Sequence, residues 1–174
     1  PNIRGKVFVI SCTNRPDLID AALKRSGRTD ERVPLTMPEL ATREALFSVM
    51  IARYNYQTNI TDFLPFAKQA ENLSGADIEV IVRRADKIAA KDGKKHIDHI
   101  SLETAIDNFI PSASQRHNAM MTLYALRETS DKRWLPGNWR EIVQGAQSTL
   151  HDQQASTPER EEILMMIGNE IPEA

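Results

Sequence analysis

Hydrophobic positions follow two different rhythms along this chain. Val7-Phe8-Val9-Ile10 is apolar at every step and rich in β-branched residues, then gives way to Ser11-Cys12-Thr13-Asn14. Unbroken apolarity without alternation predicts a central strand buried on both faces, as in a parallel α/β sheet. The one other strand candidate nearby, Glu31 to Leu35, is interrupted by Pro34 and is edge-like. The rest of such a sheet is expected outside the sequence. A first residue of Pro1 rather than Met also suggests a piece of something longer.

After about residue 38 the period becomes helical. Leu46, Val49, Met50 and Arg53 mark one face of a helix from 40 to 54, and Pro65 suits the first turn of a short helix reaching Glu71. Ser74-Gly75-Ala76-Asp77 forms an S-x-x-D capping box, in which a hydroxyl and a carboxylate satisfy free N–H groups at a helix start. Ile78, Ile81, Val82, Ala85, Ile88 and Ala89 follow as a buried stripe that Gly93 ends. Ser101 is expected to cap the next helix, with Leu102, Ala105, Ile106 and Phe109 inward and Pro111 beyond. Further helices are predicted over 115–129 and 138–153, separated by a loop from Asp131 to Gly137. Thr157-Pro158-Glu159 is expected to open a last one.

Composition narrows the classes. The 174 residues are 41 % hydrophobic and 26 % charged, as in a globular protein. A net charge of −2 supplies no general positive field for nucleic acid or an anionic membrane, and 6 % aromatic content offers few stacking platforms. Charge is nevertheless uneven: residues 1–34 carry seven basic and four acidic side chains, whereas from Asp152 onward there are six acidic side chains and one Arg. The single cysteine, Cys12, excludes an internal disulfide framework and a multi-cysteine zinc site, and is expected as a small buried side chain of the strand. A reducing, cytoplasmic location is expected, with no membrane partner, since no run approaches the ~20 apolar residues of a membrane helix.

Candidate chemistry concentrates in Thr13 to Arg28. Asn14 would end a buried strand, where polar side chains of parallel sheets meet ligands, and Arg15-Pro16 turns the chain at once. Arg25 and Arg28 stand three apart around Gly27, so two guanidiniums could be offered to phosphate oxygens. Spacing alone leaves two readings open: phosphate ligands, or a turn-forming amide and solvated arginines.

The string TNRPDLIDAALKRSGR over residues 13–28 closely resembles the second region of homology of the AAA ATPases, in the branch that holds NSF and FtsH, whose pattern is TNRP-x-x-[IL]-D-x-A-L-x-R-x-G-R-F-D. LSGADI at 73–78 is similar to the Gly-Ala-Asp motif of that family's helical lid, and HIDHISLETAIDNFIPS at 96–112 to its final lid helix. The resemblance covers roughly residues 3–112. It implies a mostly α chain: the remnant of a parallel α/β P-loop subdomain over 1–38, a helical lid over 39–112, and a helical extension over 113–174. It further implies that Asn14 is sensor 1, that Arg25 and Arg28 are arginine fingers reaching a neighbouring subunit's nucleotide, and that Gly75 and Ala76 lie against adenine and ribose. Asp77 is expected as a cap rather than a ligand.

The chain departs from the pattern at Thr29 (usually Phe), at Ser26, and at Met50, where several relatives carry a nucleotide-contacting His. No G-x-x-x-x-G-K-[ST] occurs, and the apolar strand ends in Cys-Thr-Asn rather than Asp-Glu, so both Walker signatures are missing. The expectation is the C-terminal part of an AAA module. By itself it should bind no cofactor and be inactive. In the intact protein it should work with ATP and Mg²⁺, in a homo-hexamer, on a protein substrate. The alternative is a helical adaptor or oligomerisation module for a protein partner. His96 and His99 around Asp98 have metal-compatible spacing, but beside lysines they suit a solvated turn better. Arg83 and Arg84 suit solvent or a subunit contact, and Trp134 and Trp139 should anchor the extra helices.

Overall fold

The structure, a computed structural model, describes residues 7–25, 27–111 and 113–151. Contacts divide the chain into two units: Thr36–Asn118, and Pro1–Leu35 together with Ala119–Ala174. The amino-terminal segment and the last helices, set apart in the sequence reading, thus share one unit.

In the Thr36–Asn118 unit four helices follow the predicted periodicities: α1 (Leu40–Arg53), α2 (Leu64–Gln69), α3 (Gly75–Lys91) and α4 (His99–Asp107). The capping box at the head of α3 is formed. The Asp77 amide donates to Ser74 Oγ at 3.2 Å, and the Ser74 amide and hydroxyl both donate to Asp77 Oδ2, at 2.9 and 2.7 Å. Ile78, Ile81, Val82 and Ala85 are buried as the stripe requires, joined by Phe47, Phe66, Ile97 and Leu102, and Phe63 stacks on Phe47 at 6.2 Å between centroids. Gly93 ends α3 with φ +73°, a left-handed conformation open to glycine and costly to most residues. A short clasp closes the unit: the Ile97 amide donates to the Gln57 carbonyl at 2.8 Å, and Thr58 Oγ1 to the Ile97 carbonyl at 2.8 Å.

One cap differs from expectation. Asp98, not Ser101, is the N-cap of α4. Its carboxylate accepts from the Ser101 amide at 3.0 Å, while the Ser101 hydroxyl, fully buried, takes the reciprocal position and accepts from the Asp98 amide. Lys94 Nζ also approaches the Asp98 carboxylate, at 2.6 Å.

The second unit takes α5 (Gln115–Arg127) from Ala119 onward and α6 (Trp139–His151), which bury Ala119, Leu123 and Leu126 against Val143, Ala146 and Leu150. Leu135 and Trp139 pack on this cluster, and the connecting loop contains a 3-10 turn at Lys132–Trp134, whose start Asp131 caps. The start expected at Thr157 and the acidic tail lie outside the described residues.

The amino-terminal strand is a correction. Among the described residues no strand forms, and Val7, Phe8, Val9 and Ile10 are 60, 88, 76 and 75 % exposed. Glu31–Leu35 is likewise irregular. A strand exists only through a neighbouring ladder, and none of the described residues offers this segment one. Cys12 is exposed for the same reason, not buried as expected. The fold is mostly α, as expected.

Candidate functional site

After the exposed run, Asn14 sits at a bend and is exposed. The chain is then turned by short-range bonds: the Arg15 amide donates to Thr13 Oγ1 at 3.0 Å, Arg15 Nη2 meets Asp17 Oδ2 at 2.6 Å, and Pro16–Leu18 form a 3-10 turn. The Arg15 guanidinium, by hydrogen bond, holds the Asp17 carboxyl below its usual range. Arg15 is therefore engaged in shaping the turn beside Asn14.

Arg25 and Arg28 bracket Gly27, whose φ of +85° provides the reversal, and the Arg28 amide donates to the Arg25 carbonyl at 3.1 Å. Both arginines are exposed. They differ in freedom: Arg28 Nη1 donates to the Ala22 carbonyl at 3.0 Å, whereas the Arg25 side chain makes no hydrogen bond or ion pair among the described residues. Thr29, in the place of the family's Phe, spends its hydroxyl on the Leu23 carbonyl at 2.7 Å.

Behind this turn lie contacts that the sequence did not reveal. Arg32 donates through Nη1 to the Lys24 carbonyl at 2.8 Å and through Nε to the Glu128 carbonyl at 2.7 Å. Its backbone pairs with Ser130 in both directions, amide to Ser130 Oγ at 2.9 Å and carbonyl from the Ser130 amide at 3.2 Å. Lys24 Nζ meets Glu128 Oε1 at 2.9 Å, and Glu31 accepts from Trp134 Nε1 at 2.7 Å and from Ser130 Oγ at 3.1 Å. About a hundred residues separate all of these partners except Arg32 and Lys24, so no local pattern signals them.

Gly75 and Ala76 belong to the other unit, at the first turn of α3. Ala76 is exposed, and a Cβ added at Gly75 would meet only Leu46 Cδ1, at an ordinary 3.8 Å. Internal packing therefore does not demand a glycine there. Asp77 is consumed by the cap, and Met50 is buried in the core. Arg83 stacks over Tyr54 and Arg84 over Phe109, with guanidinium carbons 5.6 and 5.3 Å from the ring centroids. His99 packs on Phe66 at 4.7 Å, and among the described residues no three His, Cys, Asp or Glu side chains converge.

The mostly helical fold and the two local strings, Thr13–Arg28 and Leu73–Ile78, point to a portion of an AAA-type ATPase. Known proteins bear this out. The chain is 37 % identical over 114 residues to the ATP-dependent zinc metalloprotease FtsH 1 of Sphaerobacter thermophilus, covering 66 % of the chain and 17 % of that protein. FtsH 3 of the same organism is 37 % identical over 117 residues (67 % and 24 %), and FtsH of Rickettsia felis 33 % over 114 (66 % and 18 %). No protein-family model matches. The chain is thus an FtsH-like C-terminal portion of the AAA ATPase family, and the match spans about a sixth to a quarter of the relatives' own lengths.

Proposed function

We propose that this chain is the trailing part of an AAA-type ATP hydrolase that couples hydrolysis to remodelling or unfolding of a protein substrate. In this reading Asn14 is sensor 1, donating its amide to the γ-phosphate or attacking water. Arg25 and Arg28 reach the nucleotide of an adjoining subunit, and residues 39–112 form the lid. The observation that carries the reading is the exposed pair around Gly27, in a chain 37 % identical over 114 residues to an FtsH relative. ATP contributes the scissile γ-phosphoryl group; the chain's own residues position it and balance the charge that develops on it. Arg25, uncommitted among the described residues, is the leading finger, and Arg28 supports the turn until it exchanges the Ala22 carbonyl for phosphate oxygen.

The half-buried Gly75 leaves room for a flat ring pressed on the backbone, because the chain's own packing would accept a Cβ there. The residues that would hold Mg²⁺ belong to the Walker signatures, which this chain lacks. ATP, Mg²⁺ and the zinc of the relatives' name are proposed for the intact protein, as are the hexameric neighbours and a cytoplasmic location for this portion. No described helix is long and apolar enough to cross a membrane.

In the assembled enzyme, Arg25→Ala should lower kcat by ~10³-fold or more, the scale of a finger acting in trans. Mixing that variant with subunits defective in nucleotide binding should restore turnover, because each lends what the other lacks. Unchanged kcat for both Arg25→Ala and Arg28→Ala would sink the reading. Gly75→Ala should leave the melting temperature unchanged while raising KM for ATP. The adaptor reading draws on the separate core of α5 and α6. It expects removal of residues 113–174 to change oligomer size without changing turnover per assembled subunit.

A further inference from the structure

The turn that carries Arg25 and Arg28 is anchored at its base by residues at and beyond the end of α5. Lys24, the residue before Arg25, is held twice: its carbonyl accepts from Arg32 Nη1 at 2.8 Å, and its ammonium pairs with Glu128 at 2.9 Å. The same guanidinium donates to the Glu128 carbonyl at 2.7 Å, just past the last residue of α5. Carbonyls at a helix C-terminus have no partner within the helix and carry its negative dipole end, so a cation there is doubly favoured. Ser130 closes the arrangement with two further bonds to the Arg32 backbone, and Glu31 ties it to the Trp134 indole. Lys24 and Glu128 are both largely withdrawn from solvent, with side chains 20 % exposed, so the pair is screened less than a surface ion pair.

We propose that Arg32 and Glu128 are positioning residues for the arginine-finger turn, so that the helical extension sets the aim of Arg25. The proposal rests on the finger reading above. Neither residue touches nucleotide. Arg32 fixes the backbone one residue before Arg25, and Glu128 fixes the same residue through its side chain. A finger must meet its phosphate within hydrogen-bond distance in the transition state, and small misplacements of catalytic groups cost large factors in rate. An extension bound to the turn through this clamp therefore links the state of α5 to the neighbouring subunit's hydrolysis. Arg32 suits the post because its planar fork can bridge two carbonyls at once, which a lysine ammonium on one stem does less well.

The test has two readouts. In the full 174-residue chain, amide hydrogen exchange over residues 22–29 should quicken at least tenfold in Arg32→Ala and measurably in Glu128→Gln, with exchange in α3 unchanged as the control for folding. Lys24→Glu should quicken it too, and Lys24→Glu combined with Glu128→Lys should restore slow exchange. In the assembled enzyme, Arg32→Ala should lower kcat about tenfold with KM for ATP within twofold, and Arg32→Lys should fall between it and the parent. Unchanged exchange over 22–29 in Arg32→Ala overturns the clamp whatever the fingers do. Quickened exchange with unchanged kcat, where Arg25→Ala abolishes turnover, overturns the positioning role and leaves the finger reading intact. Unchanged kcat in both Arg25→Ala and Arg28→Ala defeats the finger reading, and the positioning role with it, even where the exchange results hold.

Discussion

Asp98 accepts a hydrogen bond from Lys94 Nζ at 2.6 Å and another from the Ser101 amide, and these hold its carboxyl down at about 2. A carboxyl depressed in the folded state adds stability above its ordinary value near 3.8, and that contribution is lost as pH falls through about 2. Thermal melts of the chain should therefore show an acid limb between pH 4 and pH 2 that is shallower in Asp98→Asn. Asp98→Ala at neutral pH should cost about 1 kcal/mol, the usual scale for losing an N-cap. Both capping residues were visible in Asp98-His99-Ile100-Ser101, yet the sequence reading assigned the cap to the hydroxyl. The two residues bond reciprocally, so only the backbone, extended at Asp98 and helical from His99, tells which of them is the cap. At Arg32 legibility fails for a different reason: its partners Lys24 and Glu128 are brought together only by the folded unit.

At the scale of elements, helices were readable because their stripe and caps are local. α1 and α3 run over Leu40–Arg53 and Gly75–Lys91, within a residue or two of the predicted spans, and the Ser74 box forms as drawn. The strand at Val7 to Ile10 was not, because the same apolar run needs neighbours to pair with, and none of the described residues supplies them. Two glycines allow opposite predictions. Gly93 ends α3 at φ +73°, so Gly93→Ala should destabilise by roughly 1 kcal/mol through backbone strain. Gly145 lies inside α6, and a Cβ there would meet nothing within 4 Å. Gly145→Ala should stabilise by about 0.5–1 kcal/mol through helix propensity alone. Urea denaturation of the two variants, side by side, checks both signs.

For the whole molecule, the two units explain why the candidate site was legible as motifs but not as a geometry. Asn14, Arg25 and Arg28 belong to one unit, Gly75 and Ala76 to the other, and each motif is a local string with its own local supports. The Thr36–Asn118 unit has its own core of Phe47, Phe66, Ile78, Ile81 and Leu102, and both ends of α3 are closed by internal bonds. Excised residues 36–118 should therefore fold alone, with a cooperative melt by circular dichroism. Within that fragment Ile81→Ala should cost 2–5 kcal/mol, roughly the range for truncating a fully buried aliphatic. A gradual, non-cooperative melt would show that the core is incomplete without the other unit.

Trp134, with its indole bonded to Glu31, and Trp139, packed on the α5–α6 cluster, are the chain's two tryptophans, and both fall in the unit that carries Arg25. The other unit has tyrosines at 54 and 56 but no indole. Red-edge fluorescence consequently records one half of the molecule and is silent to the other, so a single dye-free titration can watch the half that carries Arg25 loosen while the Thr36–Asn118 half stays out of the signal.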